Sequence, residues 1–345
     1  MGRCAAWFRS EGLLATRTAL VRVLTCRCTV RSHAGRRTTL GERLRYNVAP
    51  MARTVLIGVD GSRRAADAMA VGALLAPALE AEPVPLYAHP YELEGPRSGG
   101  EHEQPVRDVA ETSARQAQAH LGGSRAPRLE LVADRSPARA LHAAAEAPDV
   151  AAIVVGSSRR GPVGRVLPGG VAQRLLSGAP CPIVVAPAGF VARQPLGLGA
   201  IGIGFDGSAD STSALEMSAG LARVNDGPLL VIAVHQRIGF GHVPVAADQA
   251  ATSPDQQIRA DLSRKVDEAI TRLGMGDQAT ATLREGDAAT ALAEESERLG
   301  LLVVGSRGYG PLGSVLLGSV SSRLLSRSAC PVMVVPRDAG DRRQR

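Results

Sequence analysis

An internal repeat constrains the fold of this chain more than any other feature of its sequence. Residues 161–187 and 310–336 are identical at 15 of 27 positions. Two copies of one domain explain this match, and two domains is also the number expected for a chain of 345 residues. The repeat therefore predicts one domain at 53–188 and a second at 198–337, followed by a polar tail at 338–345.

Each copy alternates short apolar runs with alanine-rich stretches of helical character. Strands separated by helices predict βαβ units, a parallel sheet and right-handed crossovers. We therefore expect an α/β protein made of two tandem doubly wound domains, each with a five-stranded parallel, Rossmann-like sheet. The predicted strands lie at 54–59, 84–89, 128–132, 152–156 and 181–187 in the first copy and at 200–205, 229–235, 279–283, 301–305 and 330–336 in the second.

Composition and charge exclude several classes of protein. Hydrophobic residues make up 45% of the chain and aromatic residues 3%, so the cores are expected to be aliphatic. The chain has no run of 18 apolar residues, and we expect neither a transmembrane helix nor a membrane partner. The five cysteines are scattered, which argues against a disulfide framework or a zinc site and fits a reducing cytoplasm. We expect no metal-ligating residues.

Residues 1–50 stand apart from both copies. Ten arginines against two glutamates give this segment a net charge of +8, so the rest of the chain is near neutral and nucleic acid is not an expected partner. The composition superficially matches an organellar transit peptide. However, Met51 directly precedes the first predicted strand, where an independent domain would begin. We therefore interpret residues 1–50 as a disordered extension or the product of an upstream start site.

Three features end neighbouring strands of each copy. A glycine-rich turn, Gly305–Ser319 in the second copy, follows the fourth strand and offers backbone N–H groups to a phosphate. An Asp-Gly-Ser turn, beginning at Asp60 or Asp206, follows the first strand, and a histidine, His89 or His235, ends the second. Because ligands bind at the carboxyl ends of strands in such sheets, these features predict a site on one rim.

Together these features resemble the universal stress protein family in its tandem two-domain form. The family's nucleotide motif, Gly-x2-Gly-x9-Gly-Ser/Thr, is complete in the second copy. The resemblance covers about residues 53–337 and implies a fold like that of the adenine nucleotide alpha hydrolases. It also implies a site for ATP, with Mg²⁺ accompanying the phosphates. The residues that it assigns to this site are Gly204, Asp206, Val234, Gln236, Gly305, Gly308, Gly318, Ser319, Val320 and Ser321.

The first copy departs from the family's motif. Gly156 is retained, but Arg159 replaces the second glycine, and Gly169-Gly170 lacks the serine. We therefore expect a weaker or empty first site, with Asp60, Gly156 and Gly169 as its remaining residues. The resemblance further implies that the fifth strands of the two copies pair as an internal pseudo-dimer, and it leaves a homodimer open.

Other interpretations of the same residues remain. Gly308 to Gly313 also spells the Gly-x-Gly-x-x-Gly of dinucleotide sites, but only one strand follows and the ribose-binding acid is absent. A P-loop, Gly-x4-Gly-Lys-Ser/Thr, would need lysine at position 314, where this chain has Ser314. This argues against phosphoryl transfer of the P-loop kind. Asp206 could instead be a structural residue that caps its turn. His235 could be a packed residue of the rim.

No Ser/His/Asp arrangement converges by spacing, so the sequence predicts no catalytic residues. Three functions stay open. The first is a cytoplasmic, stress-associated protein that binds ATP, mainly in the second domain, and signals through a flexible flap at 236–254. The second is a dimerisation or interaction module that binds no nucleotide. The third is a slow ATPase, for which the sequence identifies no base.

Overall fold

The computed structural model groups the chain into two compact units, residues 1–52 and 53–345. The predicted tail at 338–345 and the interior of the predicted flap, residues 237–253, lie outside the described residues. The residues that the structure describes are 8–16, 19–31, 37–46, 53–90, 108–113, 115–116, 119, 129–158, 165–166, 168–178, 180–193, 197–236, 254–306 and 318–336.

The first unit contains a three-stranded antiparallel sheet. Its strands are β1 (Phe8–Thr16), β2 (Ala19–Arg31) and β3 (Arg37–Tyr46), with β2 in the centre. Strand β2 pairs with β3 along its length, from Arg22 opposite Tyr46 to Arg31 opposite Arg37. The sequence predicted no strands in this segment.

The first copy of the repeat supplies five strands and three well-bounded helices of the second unit. Helical residues 108–113 lie between the second and third of these strands. In chain order the elements are β4 (Arg53–Gly58), α1 (Arg63–Ala78), β5 (Ala81–His89), β6 (Glu130–Ala133), α2 (Pro137–Ala144), β7 (Val150–Gly156), α3 (Gly170–Leu176) and β8 (Ile183–Ala186).

The second copy repeats this order after a short 3₁₀ turn at Val191–Arg193. Two further 3₁₀ turns, Gly276–Gln278 and Ser296–Arg298, precede its third and fourth strands. In chain order its elements are β9 (Ile201–Gly204), α4 (Ala209–Val224), β10 (Leu229–His235), α5 (Pro254–Leu273), β11 (Ala279–Glu285), α6 (Ala288–Glu295), β12 (Leu301–Gly305), α7 (Ser319–Leu325) and β13 (Val332–Val335).

The ten strands of the second unit form one sheet in the order β11-β10-β9-β12-β13-β8-β7-β4-β5-β6. Neighbouring strands within each copy are parallel. The two halves join through their fifth strands, β8 and β13, which pair antiparallel with Val332 opposite Val185 and Val334 opposite Ile183. The predicted fold class is confirmed, and the fifth strands pair as the sequence analysis expected.

Each half has a topological switch point between its first and fourth strands. Strand β4 lies between β5 and β7, and β9 lies between β10 and β12, so the connections leave in opposite directions on either side. A crevice opens at such a point beyond the carboxyl ends of the strands. The topology therefore assigns one candidate site to each copy.

Aliphatic side chains pack on both faces of the sheet. Each face carries one cluster of buried residues, and both clusters include residues of both copies. Ile57 and Ile203, for example, belong to one cluster, and Ile153 and Leu302 to the other. Full burial of such a side chain contributes about 1.5–3 kcal/mol. The two copies are therefore held together by a shared core as well as by the paired strands.

Candidate functional site

The strand-one turns have the same geometry in both copies. Asp206 Oδ1 accepts a hydrogen bond of 2.9 Å from the backbone N–H of Ser208, and Asp60 Oδ1 accepts one of 3.0 Å from that of Ser62. The two serine hydroxyls in turn cap α4 and α1 by accepting from Ser211 and Ala65. Asp206 thus stabilises its own turn, and both serines cap helices as predicted. Asp206 remains exposed on the rim.

The end of the fourth strand in the second copy packs closely against the first turn of α4. A Cβ atom at Gly305 would lie 2.9 Å from the Cβ of Asp210. Asp210 is 5% exposed, and its Oδ2 accepts a hydrogen bond of 3.1 Å from the hydroxyl of Ser306. A buried carboxylate therefore lies beside the start of the glycine-rich turn, and the sequence analysis did not identify it.

The two ends of the glycine-rich turn meet at the switch point. The backbone N–H of Gly318 donates to the carbonyl oxygen of Ser306 at 3.0 Å, which closes the base of segment 307–317. Gly308, a predicted site residue, lies outside the described residues. Ser319 is exposed at the start of α7 and Val320 is half-buried.

Ser321, which the resemblance assigns to the site, lies with its side chain turned into the protein. Its side chain is 5% exposed, and its hydroxyl donates to the carbonyl oxygen of Gly305 at 3.1 Å. This hydrogen bond ties α7 to the end of β12. Of the predicted hydroxyl ligands, Ser319 is therefore the exposed one.

The end of β10 carries Val234, His235 and Gln236. His235 is 2% exposed, and its Nε2 lies 2.8 Å from Oδ1 of Asp255 in the first turn of α5. The interpretation of His235 as a packed rim residue is thus confirmed, whereas Asp255 had no signal in the sequence. Val234 is half-buried against the core and Gln236 is exposed. Gly204 packs between Leu292 and Val304.

The acids at the end of β11 are engaged in structural contacts. Asp287 caps α6 by accepting from the backbone N–H and hydroxyl of Thr290, and it pairs with Arg323 at 2.8 Å. The backbone hydrogen bond from Thr290 lowers the pKa of Asp287 most, followed by the Thr290 hydroxyl and Arg323. Glu285 forms an ion pair of 3.0 Å with Arg259 of α5.

Of the cysteines whose side chains the structure describes, both precede a fifth strand and are packed in the core. Cys181 and Cys330 are buried next to β8 and β13, as the sequence analysis expected of packed side chains. Burial raises the pKa of the Cys330 thiol to about 12, so the thiol stays protonated. Among the residues that the structure describes, no group of three or more His, Cys, Asp or Glu side chains is arranged to hold a metal ion.

The switch point of the first copy opens into a cavity of about 410 Å³. Asp60, Gly156 and Gly169, the three residues predicted for this site, all line it. A Cβ atom at Gly156 would lie 2.4 Å from the carbonyl oxygen of Arg64. Arg64 therefore occupies, beside Gly156, the position that Asp210 occupies beside Gly305. His89 is buried near this site, and its Nδ1 has no hydrogen-bond partner among the described residues.

These features define a duplicated doubly wound α/β protein with one candidate site at each switch point. The profile of the Universal stress protein family matches residues 51–187 and 198–336. The chain therefore belongs to this family, in its tandem form. Among the described residues, none of the helices combines the length and the apolar character that crossing a membrane requires.

Relatives and solved structures agree with this assignment. A universal stress protein of Mycolicibacterium smegmatis is 29% identical over 198 residues, covering 53% of this chain and 60% of the relative. One from Mycobacterium tuberculosis is 26% identical over 187 residues with the same coverage. The chain thus spans about 60% of the length of these relatives.

Two crystal structures share the fold across most of the chain. A universal stress protein of Archaeoglobus fulgidus gives a TM-score of 0.60 at 18% identity, covering 83% of this chain and 99% of its own. A functionally unknown protein of Pseudomonas aeruginosa gives a TM-score of 0.56 at 16% identity, with 85% and 96% covered.

Proposed function

We propose that this protein binds ATP together with Mg²⁺ at the switch point of its second domain and acts as a regulatory stress-response protein in the cytoplasm. The observation that carries the proposal is the convergence of Asp206, Gln236, Gly305 and Ser319 on one rim, where the Gly318–Ser306 hydrogen bond closes the glycine-rich turn. Such a turn offers backbone N–H groups to phosphate oxygens.

The residues present fit a nucleotide with a metal ion. Ser306 and Ser319 place hydroxyl groups at the two ends of the turn. Asp206 supplies an exposed carboxylate on the rim, and the buried Asp210 carboxylate accepts from the hydroxyl of Ser306 at one end of the turn. Mg²⁺ is commonly held by one or two carboxylates with substrate phosphates and water. When bound, the metal ion would neutralise part of the phosphate charge.

The test is isothermal titration of ATP and Mg²⁺ into the full chain and its variants. We expect Gly308→Arg, which copies Arg159 of the first copy, and Gly318→Asp to weaken ATP binding at least about tenfold, because each places a side chain where backbone is to meet phosphate. Gly220→Asp is the matched control, since a Cβ at Gly220 of α4 meets nothing within 4 Å. Absence of ATP binding to the wild type, or unchanged binding in both turn variants, would refute the proposal.

One observation supports the alternative function, a dimerisation or interaction module that binds no nucleotide. The antiparallel pairing of β8 with β13 supports a role of the fold in association between the copies. In that case the wild-type chain would show no heat of binding with ATP, while its folding would depend on both copies.

A further inference from the structure

The glycine-rich turn of the first copy contacts a loop of the second copy. Arg165, which lies between the motif glycines Gly156 and Gly169, donates a hydrogen bond of 2.9 Å through Nη1 to the carbonyl oxygen of Arg327. The backbone N–H of its neighbour, Val166, donates one of 2.9 Å to the carbonyl oxygen of Ser328. Both acceptors belong to the loop that joins α7 to β13. This loop therefore has donors in the turn of the other copy.

The linker between the copies adds a third contact to the same loop, residues 326–330. Arg193 donates through Nη1 to the carbonyl oxygen of Ala329 at 2.8 Å, so three successive carbonyl oxygens accept from outside the second copy. The second copy holds the loop as well, because the backbone N–H of Ala329 donates to the hydroxyl of Ser296 at 2.8 Å. Charged donors make the stronger hydrogen bonds, and two of the three donors are guanidinium groups. We call these three donors the clamp: Arg165, Val166 and Arg193.

The clamp is itself fixed in position. Val166 is 0% exposed and belongs to a cluster of apolar residues that includes both copies. The carbonyl oxygen of Arg165 accepts from the backbone N–H of Ala188, two residues after β8, at 3.2 Å. Its Nη2 forms an ion pair of 3.0 Å with Glu297 in the 3₁₀ turn that follows α6. The Arg165 guanidinium therefore joins the turn after α6 to the loop after α7.

Helix α7 connects the clamped loop to the proposed site. The helix has 7 residues and is about 10 Å long. At its N-terminal end, the backbone N–H of Gly318 donates to Ser306, and the hydroxyl of Ser321 donates to the carbonyl oxygen of Gly305. Rigid elements and hydrogen bonds carry coupling between sites. A shift of the C-terminal end of this short helix would therefore also move Ser319.

Two contacts make α6 part of the same connection. Arg323 of α7 pairs with Asp287 at 2.8 Å, and Arg327 Nη1 donates to the hydroxyl of Thr290 at 2.8 Å. Asp287 and Thr290 form the cap of α6. The clamped loop therefore contacts the starts of both the helix and the cap that border the second switch point.

The sequence supplies these arginines in one direction only. The repeat aligns Arg165 with Ser314, and it aligns Arg327 with Gly178. A serine hydroxyl lies one bond beyond Cβ and cannot span the distance that an arginine side chain covers. The residues of the guanidinium contacts are thus present from the first copy to the second and are replaced in the reverse direction.

We propose that the turn of the first copy regulates the switch point of the second. The clamp holds α7 where the base of the second turn closes, and a ligand at that site strengthens the clamp in return, because coupling between two sites is reciprocal. The proposal rests on the proposed function for the identity of the ligand, ATP with Mg²⁺. It gives the first turn a role that needs no ligand in the first copy.

The first experiment measures amide hydrogen exchange of the full chain without nucleotide. Arg165→Ser installs the residue of the second copy, and the Arg165 side chain is 41% exposed, so the variant should keep the fold. We expect several-fold faster exchange of the N–H groups of Gly318 and Ser322, which close the turn and the first turn of α7, with β4 and β9 unchanged. Arg174→Ser is the matched control, because it removes the same charge from the exposed face of α3.

The second experiment adds ATP and Mg²⁺. Arg165→Ser and Arg193→Ser should each weaken ATP binding at least about fivefold, the lower range of ordinary coupling between sites, and Arg174→Ser should not. In the wild type, saturating ATP should slow exchange of the Val166 and Ala188 N–H groups in the first copy. Unchanged exchange at Gly318 in both clamp variants, unchanged ATP affinity, or an equal effect of Arg174→Ser would overturn the proposal.

This proposal and the proposed function fail separately. If the wild type does not bind ATP but the clamp variants speed exchange at Gly318 and Ser322, the proposed function is wrong and the connection from the clamp to the second turn stands. If ATP binding follows Gly308 and Gly318 but the clamp variants change neither exchange nor affinity, the ATP site stands and regulation by the first turn is refuted.

Discussion

Gly156 and Gly305 end the fourth strands where each strand crosses the first turn of a helix. A Cβ atom would lie 2.4 Å from Arg64 O at Gly156 and 2.9 Å from Asp210 Cβ at Gly305. Favourable carbon contacts begin at about 3.5 Å, so neither position accepts a side chain without moving the helix. Packing against the helix is therefore enough by itself to require the first glycine of the nucleotide motif. Its retention in the first copy is no evidence of nucleotide binding there.

The carboxylate of Asp287 caps helix α6, so the strength of this cap depends on the ionisation of Asp287. The folded protein lowers the pKa of this carboxyl group through the Thr290 hydrogen bonds and Arg323. We expect Asp287→Ala to lower the free energy of unfolding by about 1 kcal/mol at neutral pH, the usual cost of a lost cap. A lowered pKa stabilises the fold above the unfolded-state pKa of about 4, and this part is lost as the pH falls through the folded-state pKa.

Denaturant unfolding of wild type and Asp287→Ala from pH 7 to pH 3 measures this dependence. The difference between the two should shrink as the pH falls. Ser136→Ala is the matched control, because Ser136 caps the equivalent helix α2 with an uncharged hydroxyl. A difference for Asp287→Ala that stays constant with pH would contradict the ionic part of the cap.

Two side-chain contacts join the first two turns of helix α5 to the sheet. His235 at the end of β10 meets Asp255, and Glu285 at the end of β11 meets Arg259. The first contact joins a side chain that is 2% exposed to a carboxylate that is 43% exposed. Because hydrogen bonds to charged groups contribute more than neutral ones, this contact should set where the helix begins.

We expect Asp255→Asn to loosen the start of α5 without unfolding the domain. Amide hydrogen exchange in the first turn of α5 should become several-fold faster, while exchange in β9 and β12 stays slow. Asp261→Asn on the same helix is the control, since Asp261 pairs only at the surface, with Arg264 and Lys265. Equal acceleration along the whole helix, or in the control, would show that the His235 contact does not anchor it.

The elements also show what sequence can and cannot predict. The order of strands and helices follows from apolar runs and from the repeat, since each copy supports the assignment of the other. The contacts of Asp255 and Asp210 could not be predicted, because each joins residues far apart in sequence: Asp255 lies 20 positions from His235 and Asp210 lies 96 from Ser306. No local pattern distinguishes such acids from ordinary residues of a helix's first turn.

The paired strands of residues 1–52 were missed for a different reason. The segment resembles neither copy, and its many arginines favoured an interpretation as an extension. Conversely, the pairing of β8 with β13 was predicted correctly. Their nearly continuous apolar sequence demands burial on both faces, and each strand would otherwise be an exposed edge.

In the whole second unit, the shared core predicts that the two copies unfold together. Leu75 of α1 and Leu221 of α4 are equivalent residues, 0% and 1% exposed, and both belong to the same cluster. Replacement of a buried leucine by alanine costs about 2–5 kcal/mol. If unfolding is one cooperative transition, either substitution lowers the stability of both copies.

Hydrogen exchange of the slowest amides measures this directly. We expect Leu75→Ala to reduce protection in β12 and β13 of the second copy as much as in β7 of the first, and Leu221→Ala to do the same in reverse. The two variants control each other, because they make the same change in equivalent helices. Loss of protection confined to the mutated copy would mean that the copies unfold independently, and that the β8–β13 pairing joins two domains rather than completing one.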